Sequence, residues 1–224
     1  MKKNLLLLST TLMAFLIIGT TGCKDDDTTA PIVSLTGSSS MEVVLGTSFT
    51  DPGASANDDE DGAIEVVVTG TVNTNQTGTY TLTYTATDEA GNVGTEIRTV
   101  RVYNEAEIFA GTYLHCVDTC AVSPPSSYEA TVTISETVNK RVTISNFGAF
   151  GTSISIVADF TAISNGSAIN IATGQSLGTT ALLTTVNTSA TQVISASVSA
   201  TSFKVGYVWT DGAASEACTS YYIR

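Results

Sequence analysis

Between Thr77 and Asn92 the chain reads TGTYTLTYTATDEAGN, and within it Tyr80, Leu82, Tyr84 and Ala86 alternate with threonines. A period of two puts the four apolar side chains on one face of a strand, whereas a helix would scatter them around its axis. Similar alternation in Val, Ile, Thr and Ser runs through most of the chain, with TG, DG, GN and NG pairs marking turns. Helical periodicity is nearly absent, so the pattern predicts an all-β protein.

Strands are predicted at 31–36, 41–45, 64–69, 78–87 and 94–103, with a long acidic loop at 51–62. A second series follows at 108–116, 128–135, 140–146, 153–160, 168–172, 181–186, 192–200, 203–210 and 218–223. Hairpin-length connections join most of the second series. Consecutive antiparallel strands of this kind are expected to form a meander that closes into a barrel, because closure removes exposed edges. A second β-sandwich is the alternative. The organisation expected is therefore 1–22 export signal, 23–29 tether, 30–104 first β unit and 105–224 second β unit.

The N-terminus has the three parts of an export signal: Lys2 and Lys3, an apolar run from Leu5 to Ile18, and small residues up to Gly22 before Cys23. The run is short for a bilayer span, which takes about 20 apolar residues. A signal ending in Gly and followed by Cys resembles the lipobox of bacterial lipoproteins, although Thr20 stands where an aliphatic residue is usual. The following KDDD, Lys24 to Asp27, resembles the signal that sends Bacteroidetes lipoproteins to the outer face of the outer membrane. These resemblances imply that Cys23 is lipidated and that the protein faces the cell exterior. Acyl burial contributes about 0.8 kcal/mol per CH₂, so several chains would hold it permanently. A soluble secreted protein and an uncleaved anchor are the competing readings.

Charge narrows the partners. Loss of Lys2 and Lys3 with the signal would move the formal charge from −12 to −14. Residues 23–107 carry 15 acidic and three basic side chains, and residues 108–224 carry six and four. A cation-poor chain repels phosphate backbones, which excludes nucleic acid as a partner. Neutral ligands and cations remain.

The segments TAPIVSLTG, GTSFTDPGASANDDEDGAI, VTGTVNTNQTGTYTLTYTATDEAGN and RTVRV together resemble the bacterial Ig-like domain of the insecticidal crystal toxin type, which recurs in Bacteroidetes surface proteins. The resemblance implies an Ig-like β-sandwich acting as a spacer or adhesion module without catalysis. Gly78-x-Tyr80-x-Leu82 echoes the tyrosine corner of such sandwiches, where the hydroxyl bonds nearby backbone. FAGTYLHC and the meander after it resemble the small lipocalin-like domains of Bacteroidetes lipoproteins.

Three cysteines, Cys116, Cys120 and Cys218, would lie in an oxidising compartment, where disulfides are expected and an odd count leaves one thiol over. If first and last strands of an up-and-down barrel pair, Cys116–Cys218 or Cys120–Cys218 would clasp the closure. A local Cys116–Cys120 bridge competes.

Five further observations bear on chemistry. Asn57, Asp59 and Asp61 have the alternate spacing of the first half of a calcium loop, followed by Gly62, with Asp51 and Asp88 as further oxygen donors. The bidentate Glu is missing, since Val68 stands at the twelfth position, so a solvated acidic turn is the competing reading. Phe203, Val205, Tyr207 and Trp209 alternate along one strand, and Trp209 with Tyr207 are the candidates for ligand contact against the alternative of a buried face. His115 beside Cys116 and Cys120 invites a zinc reading, which oxidation of the thiols opposes. Thr28 in DTT resembles a glycan acceptor, or is plain linker. No nucleophile elbow, HExxH motif or phosphate-cradling loop is present, so no enzyme activity, catalytic residue or cofactor other than calcium is expected. The function expected is a non-enzymatic surface lipoprotein whose Ig-like spacer presents the C-terminal unit to a glycan or a surface protein. A structural coat or adhesion role and an accessory or hydrolase role are the alternatives.

Overall fold

The alternation from Gly78 to Thr87 becomes a strand over those same residues, and its Leu82, Tyr84 and Ala86 are buried. A computed structural model describes residues 26–150, 154–160, 169–170, 181–187, 202–211 and 214–223. The lipidation candidate Cys23 and the strand expected at 192–200 lie outside the described residues.

Seven strands make the first unit: β1 (Ile32–Leu35), β2 (Ser40–Val44), β3 (Ala54–Asp58), β4 (Gly62–Ile64), β5 (Val67–Thr69), β6 (Gly78–Thr87) and β7 (Val93–Tyr103). They form two sheets, β1-β3-β4 and β2-β7-β6-β5, with β2 parallel to β7 and the other pairs antiparallel. Between them lie Val33, Ala56, Leu82, Tyr84 and Ala86, and a second cluster of Val43, Leu45, Val100 and Val102. Tyr80 donates its hydroxyl to the Gln76 carbonyl at 2.9 Å, which is the tyrosine corner expected from the sequence.

Half of the loop expected at 51–62 is strand, the run Ala54–Asp58 and the first residue of β4. In ASAND the alternating members Ala54, Ala56 and Asp58 turn inward, but they are too small or too polar to register as an apolar stripe. The strand expected at 64–69 is divided instead into β4 and β5. Gly94 on β7 is where the chain entering β1 crosses closest, since a Cβ there would overlap the Pro31 carbonyl.

Arg98 occupies an inward position of β7, fully buried, and all five of its N–H bonds can be accounted for. Nε donates to the Ser38 carbonyl at 3.0 Å, and Nη2 to the carbonyls of Thr36 at 2.6 Å and Gly53 at 3.2 Å. Nη1 donates to the Tyr84 hydroxyl at 2.8 Å and to Asp51 Oδ1. Burial and the hydrogen bond to Asp51 push the Tyr84 hydroxyl up to about 12. Burial raises the Asp51 carboxyl, but donation from Tyr84 and Gly53 and the charge of Arg98 outweigh it and hold Asp51 below its ordinary value.

The second unit follows a short 3-10 turn, Glu105–Phe109, that buries Ala106 and Phe109. Its strands are β8 (Gly111–Cys120), β9 (Ser126–Ile134), β10 (Arg141–Ser145), β11 (Ser155–Phe160), β12 (Ile169–Asn170), β13 (Ala181–Asn187), β14 (Ser202–Asp211) and β15 (Ala214–Ile223). The strand expected from residue 108 starts at Gly111, because Asn104 caps the turn through Ala106 N–H at 2.9 Å. All eight strands share one sheet in the order β12-β11-β10-β9-β8-β15-β14-β13. Two antiparallel runs, β8 to β12 and β13 to β15, are joined into this one sheet through β8 and β15, in place of the two sheets of a second sandwich. First and last strands, β8 and β15, pair antiparallel as expected. Inward residues of β8–β11, β14 and β15 meet in one core, so the sheet curls like a half-barrel, with β12 and β13 at its two ends among the described residues. Phe109 and Phe160 stack with centroids 4.1 Å apart, and Tyr113 and Tyr128 both meet Tyr222 edge-on.

The two units join at fully buried Asn104. Its Nδ2 donates to the carbonyls of Ser135 at 2.8 Å and Val138 at 3.0 Å, while Oδ1 accepts from the Lys140 N–H at 2.8 Å. Thr77 N–H adds a bond to the Glu136 carbonyl at 2.8 Å. The β9–β10 connection therefore lies against the Ig-like unit. The β8–β9 connection lies at the other end of the meander.

Candidate functional site

A bulge sets the inner face at that far end. On β8, Leu114 and His115 together stand opposite Glu129, so the inward positions change from Tyr113 to Cys116, Asp118 and Cys120. On β15 the inward residues are Glu216, Cys218, Ser220 and Tyr222. Cys120 and Cys218 are register partners and form a disulfide, leaving Cys116 free and buried. Of the three pairings open from the sequence, this is the clasp across β8 and β15. Burial pushes the Cys116 thiol up to about 11, which disfavours the nucleophilic thiolate.

Asp118 is buried and accepts from the Tyr207 hydroxyl and from Ser220 Oγ, each at 2.8 Å. Burial raises its carboxyl despite those bonds, with the nearby Glu216 charge adding to the rise. Glu216 takes the opposite course. Its oxygens accept from Ser123 N–H at 2.5 Å, Ser123 Oγ at 2.7 Å and Val122 N–H at 2.6 Å, and these bonds lower its carboxyl. Glu216 thereby fixes the bend after β8.

Above this polar layer is a cavity of about 260 Å³ lined by Asp118, Cys120, Ser123, Pro124, Ser126, Gly148, Phe150, Trp209 and Glu216. Trp209 is half-buried and meets Phe150 edge-on at 5.6 Å. Tyr207, the other aromatic candidate, is only 2 % exposed, packs on Phe147 at 4.7 Å and belongs to the core. Inward Val205 accompanies it; of the side chain of Phe203 nothing is described. Gly148 lies directly over Tyr207, where a Cβ would overlap the hydroxyl. His115 is exposed on the outer face of β8, and two of the three thiols form a disulfide, so no zinc site assembles among these residues.

The calcium candidates are dispersed. Asn57 and Asp59 are exposed, Asp61 accepts from Glu89 N–H at 2.7 Å, and Asp51 belongs to the Arg98 cluster. Asp88 alone of the five lies in an oxygen cluster, and its companions are Asp58 and Asp27, with one oxygen of each within 4.8 Å of the others. The inward parity of Ala54, Ala56 and Asp58 was the available signal for Asp58. For Asp27, five residues before β1, sequence offered none.

An Ig-like sandwich followed by a curled antiparallel meander with a cavity at its far end defines a two-unit all-β protein. Residues 33–102 match the family described as bacterial surface protein, Ig-like domain. No curated protein matches the sequence. Among solved structures, a lipoprotein from Bacteroides thetaiotaomicron is similar at 18 % identity and TM-score 0.33, covering 86 % of this chain and 99 % of that one. The CBM51-2 and INT domains of ZmpB from Clostridium perfringens, in complex with GlcNAc, are similar at 10 % identity and TM-score 0.27; the match covers 86 % of this chain and spans 43 % of that one.

Proposed function

We propose that this is a non-enzymatic, lipid-anchored protein of the bacterial cell surface, held through Cys23 in the outer membrane, in which the Ig-like unit carries the C-terminal unit outward and the distal cavity takes a glycan or protein group. One observation carries the reading. β7 starts beside Pro31, where the tether enters, and ends at the junction; β8 starts at the junction and ends at the cavity. Strands of 11 and 10 residues advance roughly 3.3 Å per residue, so each unit adds on the order of 30 Å between tether and cavity.

The lining suits binding better than turnover. Trp209 and Phe150 offer apolar rings, while the oxygens of Asp118 and Glu216 are already engaged by Tyr207, Ser220, Val122 and Ser123. The family description for residues 33–102 supports the surface location. The test is a glycan-array and surface-protein binding screen with wild-type chain and Trp209→Ala. Specific binding lost in the variant supports the module. Silence of the wild type favours the second reading, a structural coat or adhesion component, and turnover of a polysaccharide would refute the non-enzymatic assignment.

A further inference from the structure

The turn after β6 and the end of β3 bring three carboxylates together where the tether meets the Ig-like unit. Asp58 is 3 % exposed. Its Oδ1 accepts from the N–H groups of Glu60 at 2.9 Å and Asp61 at 3.1 Å. Its Oδ2 is buried and has no hydrogen-bond partner. Asp88 is 7 % exposed, and Asn92 holds both of its oxygens, through N–H at 2.7 Å and Nδ2 at 2.8 Å. The same Asn92 Nδ2 donates to the Asp27 carbonyl at 3.2 Å, which places Asp27 beside the other two. No lysine or arginine among the described residues pairs with any of the three.

A buried carboxylate oxygen without a donor is costly, and two like charges at close range add to the cost. The geometry suits an ion between the carboxylates. Calcium takes oxygens at about 2.3–2.6 Å, so ligands on opposite sides of it lie about 5 Å apart. Three oxygens mutually within 4.8 Å fit around one such ion. An all-oxygen donor set selects a hard cation over zinc or copper.

We propose that Asp27, Asp58 and Asp88 bind a calcium ion that locks the tether onto the first sheet of the Ig-like unit. The ion neutralises the orphaned Asp58 oxygen and adds a metal bond to the hydrogen bond by which Asn92 already holds Asp27. This site is distinct from the calcium loop suggested by the spacing of Asn57, Asp59 and Asp61, and it stands whether or not the distal cavity binds a glycan.

Calorimetric titration of the full chain, solubilised in detergent and stripped with EDTA, tests the site with calcium chloride and with magnesium chloride. The expected result is one saturable calcium site with a Kd of about 10⁻⁴–10⁻³ M, the range of extracellular modules, with a raised Tm and weaker magnesium binding. Asp58→Asn keeps an acceptor for Glu60 and Asp61 and should weaken binding at least tenfold; exposed Asp59→Asn should leave it unchanged. Asp27→Asn alters only the tether and guards against loss of folding in the buried variant; it too should weaken calcium tenfold. Absence of saturable binding in the wild type, or wild-type affinity in both Asp58→Asn and Asp27→Asn, would overturn the proposal.

Discussion

Replacing Arg98 by methionine should remove a large part of the stability of the Ig-like unit and leave the C-terminal unit intact. Methionine keeps the unbranched stem but removes five donors at once. The carbonyls of Thr36, Ser38 and Gly53 and the Asp51 carboxylate then lose the guanidinium. Removing one partner of a buried ion pair costs about 3–5 kcal/mol. A unit of about 75 residues has a total stability of roughly 4–11 kcal/mol, so the substitution removes about half of the margin at the middle of both ranges. Arg141→Met is the contrast: the Arg141–Asp159 pair, with bonds of 2.6 and 2.8 Å, is about 40 % exposed and should contribute at most about 1 kcal/mol. Hydrogen exchange read by mass spectrometry reports each unit separately. Amides of β6 and β7 should lose most of their protection in Arg98→Met, while those of β14 and β15 stay as in the wild type. A loss within about 1 kcal/mol of that for Arg141→Met, or equal loss in both units, would refute the view that one buried cation organises the sandwich.

The Cys120–Cys218 bridge closes a span of 98 residues, so reduction should lower the stability of the C-terminal unit by about 2–4 kcal/mol; the single tryptophan, Trp209, reports it in a urea titration with and without reductant. An unchanged midpoint would mean that the sheet holds its closure without the clasp. For pH, the lowered Asp51 carboxyl supplies stability above its ordinary value of 3.8 that is lost as pH falls through its lower folded value, and the raised Tyr84 hydroxyl supplies stability below 10.0 that is lost as pH rises toward about 12. The Ig-like unit should accordingly show a plateau between about pH 4 and pH 10, with Tyr84→Phe losing the alkaline limb; a wild-type limb beginning well below pH 10 would contradict the assignment.

What could be read from the residues was whatever repeats with period two in apolar side chains. β6 follows from that alone; its tyrosine corner came from the Gly78-x-Tyr80-x-Leu82 pattern of immunoglobulin-like sandwiches, and the pairing of first and last strands from the expectation of an up-and-down barrel. β3 escaped because Ala54, Ala56 and Asp58 carry the right parity without the hydrophobicity. Arg98 escaped for a related reason: in TEIRTVRV an arginine on the inner face looks like an outward one unless three distant carbonyls and Asp51 are known to surround it. The cavity was partly visible. Trp209 stood out in its stripe, whereas Asp118, Ser123 and Glu216 come from segments that only the β8–β15 pairing unites.

The doubled residue on β8 settles which side chains in that strand are odd and which even. Were the strand regular as written, His115, Val117 and Thr119 would point to the interior, and both cysteines of β8 would face water with Cys218 left unmatched. Deleting either Leu114 or His115 would restore regular counting without altering the parity of anything downstream, whereas losing one residue between Cys116 and Cys120 would turn half the strand inside out. Tolerance to length change here thus depends on a stretch two residues long.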